Sequence, residues 1–173
     1  MLSDADFQFI RSTGVTVLDN SWCAWNGLTI GGLSSAQATD YQRYRSGKEG
    51  RYPKPEYTRS MTPIEPETAW PDAFEQQPGY HILLSHHPEY WESYLMNRHI
   101  DLVFSGHAHG GQIRVFDHGL YAPDQGLWAK YTRGMHHHGP NGSMIISTGL
   151  SNTGGIVPRL FNPREIVYIR LEN

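Results

Sequence analysis

Two stretches decide the fold: His81-Ile-Leu-Leu-Ser-His-His-Pro88 and Asp101-Leu-Val-Phe-Ser-Gly-His-Ala-His-Gly-Gly111. Each begins with a short apolar run bounded by turn chemistry, the pattern of a central strand buried on both faces. Between them, Pro88 to Asn97 puts proline at a first helical position and Tyr90, Trp91, Tyr94 and Leu95 at helical spacing. The unit reads strand, helix, strand, the right-handed crossover of a parallel pair. Both strands run into histidine, and open α/β sheets bind ligands at the carboxyl ends of their strands. Neighbouring strands lie about 4.8 Å apart. Imidazoles leaving two adjacent ends can therefore reach one ion at the roughly 2.0–2.1 Å typical of zinc–nitrogen bonds.

The spacing His107-Ala-His109 is weak evidence alone, because ten histidines in 173 residues produce roughly 0.6 such pairs by chance. A second pair stands at His136 and His138. Context separates the two. The first follows a buried strand, is flanked by Gly106, Gly110 and Gly111, and has a matching strand-end His86 upstream. Residues two apart on a strand point to opposite faces, so both imidazoles converge only if the chain turns sharply, which the glycines permit. His136-His-His138, among Gly134, Gly139 and Gly142, reads as a solvated loop, and His81 and His99 as capping or packing residues. Gln112 is placed to order the turn through its amide. Arg114 is placed either to reach a phosphate or to stand as an ordinary strand arginine.

Upstream, Ser3 with Asp4 and Asp6 predicts a helix that stops at Gly14. Strands are expected at 15–18, 22–25 and 28–30, the last two joined through Asn26-Gly27 in a tight hairpin. From Ser34 to Pro78 there is no sustained period, and six of the eleven prolines fall there, as expected of an insertion or lid. Between Asp40 and Ser60 the basic residues Arg43, Arg45, Lys48, Arg51, Lys54 and Arg59 exceed the acids Asp40, Glu49 and Glu56 by three, suiting either a solvated loop or an anion-attracting lid. Downstream, strands are expected at 112–116, 143–148 and 165–171. The five tryptophans suit core or lid packing. The fold class is therefore α/β, or α+β, built on a layered mixed sheet with flanking helices, in one domain over 1–173.

Composition narrows the function. A hydrophobic fraction of 38% with 18 Gly and 11 Pro describes a loop-rich chain. A net charge of −3 gives no indication of nucleic-acid binding or of an anionic membrane surface. The single cysteine, Cys23, excludes an intrachain disulfide and is expected as a buried thiol in a reducing compartment. No run reaches the ~18 apolar residues of a membrane-spanning helix, so a cytoplasmic location is expected, with an export or membrane signal still conceivable on a preceding segment.

Ile82-Leu-Leu-Ser-His-His-Pro-Glu89 and Asp101-Leu-Val-Phe-Ser-Gly-His-Ala-His-Gly-Gly-Gln-Ile-Arg114 resemble the last two metal motifs of the calcineurin-like metallophosphoesterases. Tyr121-Ala-Pro, Lys130-Tyr-Thr-Arg-Gly134, Ser147-Thr-Gly149 and Pro158-Arg-Leu-Phe-Asn-Pro-Arg-Glu-Ile166 resemble one branch of that family. The resemblance runs from about Gly14 to the end. It implies the C-terminal half of an αββα sandwich, hydrolysis of phosphate mono- or diesters, and two divalent ions (Mn, Fe or Zn) in the complete site. Within it, His86 and His107 would hold one ion and His109 the other, with His87 a neighbour at a variable position. The general two-metal mechanism clamps a phosphoryl oxygen between the ions.

The family's Asp-x-His, Gly-Asp-x-x-Asp and Gly-Asn-His-Asp/Glu motifs do not occur in the sequence. With them are missing the bridging carboxylate, the Asn ligand and the catalytic histidine. The expectation is a chain that supplies part of a phosphoesterase site for a small phosphate-ester or lipid-like substrate and turns over weakly or not at all alone. The alternative is a non-catalytic assembly module that dimerises through an exposed sheet face. A third reading is a metal buffer using both His-x-His pairs.

Overall fold

A computed structural model of the chain describes residues 4–34, 69–123, 125–139, 142–151 and 158–172. Most of the proline-rich segment, 35–68, lies outside the described residues. Helix α1 (Asp4–Ser12) ends before Gly14, where φ is +84°. Strands β1 (Ser21–Trp25) and β2 (Leu28–Leu33) pair antiparallel. Their two-residue connection has Asn26 at φ 48° and Gly27 at φ 80°. Positive φ at both central residues is the turn whose twist matches a hairpin. The expected strand at 15–18 does not form.

Helix α2 (Ala69–Glu75) falls inside the segment that showed no period in the sequence. Seven residues are too few to display one, and α2 is held by packing: Phe74 is fully buried and Trp70 stacks on Trp22. Gly31 makes the approach possible, since a Cβ there would lie 2.9 Å from Phe74.

Strands β3 (Tyr80–Ser85) and β4 (Leu102–Ser105) pair parallel, with Ile82 opposite Leu102 and Leu84 opposite Phe104. On either side β2 and β10 (Ser143–Ile146) join them in parallel. Beyond β10 lies β9 (Gly134–His137), antiparallel, giving the order β1-β2-β3-β4-β10-β9. This is a mixed sheet with four parallel inner strands and an antiparallel strand at each edge. Few helices accompany it, consistent with an α/β or α+β fold. The histidines expected in a loop, His136 and His137, instead belong to β9. His137 Nδ1 meets Ser143 Oγ at 2.8 Å, and the His136 ring packs on Tyr131. Cys23 is half-buried on β1 rather than buried.

The main core covers one sheet face and contains Leu83, Val103, Met144 and Ile146 with Phe74, Tyr90, Trp91, Leu95 and Ile100. The expected helix at 88–97 is a single widened turn, Trp91–Leu95, in which Met96 N–H donates to Trp91 O at 2.8 Å. That i→i+5 closure brings Tyr90, Trp91 and Leu95 inward together, all 2% exposed or less. On the other face Ile82, Leu102 and Ile145 meet Val167 and Ile169. The segment 165–171 was expected as a strand. Its alternation is real, with Ile166 and Tyr168 outward, but it packs against the sheet face without joining a ladder. The expected strand at 112–116 is reduced to β5 (Arg114–Val115), paired with β6 (His118–Gly119). Left-handed backbone at Gln112 and Phe116 limits it at both ends. A further short pair, β7 (Tyr121–Ala122) and β8 (Gly126–Leu127), lies beyond it. No helix among the described residues is long and apolar enough to cross a membrane.

The two faces of β3 differ enough to be tested by urea denaturation. Leu83→Ala, at a site with no exposure, should cost about 2–5 kcal/mol. Leu84→Ala, at a residue 44% exposed, should cost less than half of that. Equal losses would contradict the assignment of the main core to the face that carries Leu83.

Candidate metal centre

The parallel register makes β3 and β4 end level, and the ladder continues one step past both strands: Gly106 N–H donates to His86 O at 3.1 Å. His86 and His107 thus leave the same edge of the sheet, with ring centroids 5.1 Å apart. Alternation along the chain separates His86 from His87, whose rings are nearly perpendicular at 87°. The exposed His86 borders a cleft of about 340 Å³ lined by Leu18, Leu33, Leu84, Ser85, Phe104 and Gly106. His87 turns inward, 3% exposed, and its ring lies 4.1 Å from that of His107.

The glycine turn is a tight coil of left-handed backbone. His107 (φ 58°), His109 (φ 47°) and Gln112 (φ 52°) join Gly110 and Gly111 in the positive region. Non-glycine residues there carry strain of order 1 kcal/mol each and gather at functional sites. The coil is held from outside. Asn162 Nδ2 donates to His109 O at 2.7 Å and to Gln112 O at 3.0 Å. Arg114 is buried, and its guanidinium donates to Gly110 O at 2.9 Å, to Thr132 Oγ1 at 3.3 Å and to Asp117 O. Its donors are thereby directed at the protein's own turn. Gly111 faces Gly119 so closely that a Cβ on Gly111 would lie 2.3 Å from the Gly119 Cα. Arg159 ties the Asn162 segment to the end of β10 through Thr148 O (2.9 Å), Thr148 Oγ1 (2.9 Å) and Asn162 O (2.7 Å).

Of the residues expected at the site, His86 and His107 come together at the strand ends, His109 lies two residues on in the same turn, and Arg114 supports that turn from beneath. The tightest group of donor atoms is a different one. His87, Glu89 and His107 each offer a ligand atom within 4.8 Å of the others. Glu89 is buried; its Oε1 accepts from Gln125 Nε2 at 2.7 Å, and its Oε2 lies 3.6 Å from His87 Nδ1. Sequence reasoning passed over Glu89 and Asn162. The signals available for them were an acid one residue past a Pro turn that follows a strand-end His-His, and an Asn-Pro turn initiator. Imidazole and carboxylate together suit first-row transition ions, so the donor set present fits such an ion.

Charge favours the ligating state of the imidazoles. Burial against the turn, then the neighbouring His107, His87 and His109, push His86 down to about 4. Although the residue is exposed overall, its Nδ1 side faces Gly106, where a Cβ would lie 3.6 Å away. Burial, with His107 and Arg159, likewise lowers His109. Both rings are neutral at pH 7 and offer a lone pair.

Comparison with known proteins follows the same lines. The chain is 38% identical over 90 residues to a Helicobacter pylori (strain ATCC 700392 / 26695) protein named "Uncharacterized metallophosphoesterase", covering 52% of this chain and 23% of that relative. The protein of the same name from strain J99 / ATCC 700824 matches at the same identity and coverage. One from Aquifex aeolicus (strain VF5), again so named, is 31% identical over 93 residues, 54% of this chain and 33% of the relative. The chain is related to metallophosphoesterases. The matched region spans a third or less of these relatives' length. No family model and no solved structure matches the chain.

The depressed His86 makes a directional prediction. An unfolded chain takes up that proton near pH 6.5, so folded stability falls as the pH drops from about 6.5 towards about 4. Imidazole NMR of the metal-free protein should give His86 a midpoint near 4. A midpoint at the ordinary value would contradict the crowding described.

Proposed function

We propose that the chain contributes to a metal-dependent phosphoesterase of the calcineurin-like type, hydrolysing phosphate mono- or diesters at a dinuclear site. The observation that carries this reading is the closeness of His86 and His107, ring centroids 5.1 Å apart at the level ends of two parallel strands, with His109 two residues further along the same strained turn. The similarity to proteins named metallophosphoesterases supports it. In this reading His86 and His107 hold one ion and His109 the other, with Mn, Fe or Zn as the metals. Bound divalent ions would supply Lewis-acid charge to the phosphoryl oxygens and orient the displacement.

The chain's own residues do the positioning. Gly110 and Gly111 let the turn close against Asn162 and Gly119, which a Cβ at either position would meet at 2.3 Å. Asn162, Arg114 and Arg159 keep the imidazoles at the rim of the turn. The cleft beside His86, with Leu33, Leu84 and Phe104 in its wall, suits a small phosphate ester with an apolar or lipid-like remainder.

A second reading, an assembly module, draws on the second sheet face. Leu84 is 44% exposed there, Ile166 and Tyr168 point outward, and this surface would pair two copies of the chain.

Translating the DNA in frame upstream of Met1 and assaying the product with Mn²⁺ on p-nitrophenyl phosphate and its diester separates the two. The phosphoesterase reading expects the three absent motifs upstream, hydrolysis by the longer product, little or none by the 173-residue chain, and a loss of about 100-fold or more with His107→Ala in the longer product. An in-frame stop codon directly upstream with a ribosome-binding site before Met1, together with a dimeric and inactive chain, would favour the module.

A further inference from the structure

We propose that this chain holds a single divalent transition-metal ion between His87, Glu89 and His107, a donor set distinct from the His86–His107–His109 set. The inference concerns metal binding alone and does not rest on the phosphoesterase reading.

Three observations carry it. The three donors already lie within 4.8 Å of one another, and His87 Nδ1 and Glu89 Oε2 are 3.6 Å apart. Two donors on one tetrahedral ion at about 2.0–2.2 Å are separated by roughly 3.3–3.6 Å. Ring and carboxylate rotations of about an ångström therefore close the set. Second, Glu89 is a buried carboxylate with a side chain 4% exposed, and its Oε2 accepts no hydrogen bond among the described residues. A buried carboxylate is costly unless compensated, and an ion between it and the two imidazoles compensates it. Third, the carboxylate is fixed in place. Gln125 Nε2 donates to Glu89 Oε1 at 2.7 Å and to Tyr131 O at 2.8 Å, while Tyr131 N–H donates to Gln125 Oε1 at 2.8 Å. That outer set holds Oε1 so that Oε2 faces the imidazoles, the arrangement by which a supporting shell orients a ligating carboxylate.

Charge also favours this set. Three imidazoles bring no negative charge to a dication, whereas His87, Glu89 and His107 bring one. His107 at φ 58° is the hinge between the two sets, since its ring faces His87 at 4.1 Å and His86 at 5.1 Å.

The test is titration of the full 173-residue chain with Co²⁺, read by calorimetry and visible absorption. The expected result is one Co²⁺ per chain, with affinity reduced tenfold or more in Glu89→Gln and in His87→Gln and unchanged in His136→Asn. Wild-type affinity in both Glu89→Gln and His87→Gln, or no Co²⁺ bound by the wild type, would overturn the proposal. If the variants fail to fold by circular dichroism, X-ray absorption of the Co²⁺-loaded wild type decides. Two imidazoles with carboxylate oxygen support the site, and three imidazoles without carboxylate contradict it.

Discussion

The hydrogen bond from Gly106 N–H to His86 O, one step beyond the paired ends of β3 and β4, is the contact on which the proposed metal centre depends. It exists because Ile82 pairs with Leu102, a register set by apolar side chains on both faces of the two strands. A slip by one residue would turn Leu83 and Val103 out of the main core. It would also draw His86 away from the turn that carries His107 and His109. Core packing and site geometry are thus one constraint: the burial that stabilises the sheet also aligns the imidazoles.

The turn itself is the least comfortable part of the chain. Three non-glycine residues in left-handed backbone within six positions are tolerated because the surroundings leave no alternative. Asn162 takes two of the turn's carbonyls and Arg114 a third. Gly119 presses from behind. Asn162 reaches the turn from 50 residues further along the chain, so part of the strain is borne by tertiary structure, while Arg114 and Gly119 brace it locally. The same wrapping leaves the imidazoles at the rim, where His86 opens to the cleft and His87 turns in towards Glu89.

Much of this arrangement was legible in the sequence, and the exceptions have physical causes. Apolar runs bounded by turns announced β3 and β4, and Asn26-Gly27 announced the hairpin, because these signals are local. The approach of His86 to His107 was legible from strand ends plus glycines. Helix α2 was hidden because seven residues show no period and its stability comes from Phe74 against Gly31. The 165–171 segment has the alternation of a strand, yet alternation reports one buried face and cannot tell a ladder partner from a sheet surface. Glu89 escaped notice because an acid beside a proline turn is ordinary in sequence. Only the inward turn of His87 makes it part of a cluster.

The proposed metal centre on two parallel strand ends makes one demand on the ten histidines. Long-range imidazole ¹H–¹⁵N spectra recorded during Zn²⁺ addition read all of them at once. The account predicts changes confined to His86, His87, His107 and His109, with His81, His99, His118 and His136 to His138 unmoved. Changes centred on His136 to His138, or none at the strand ends, would contradict it.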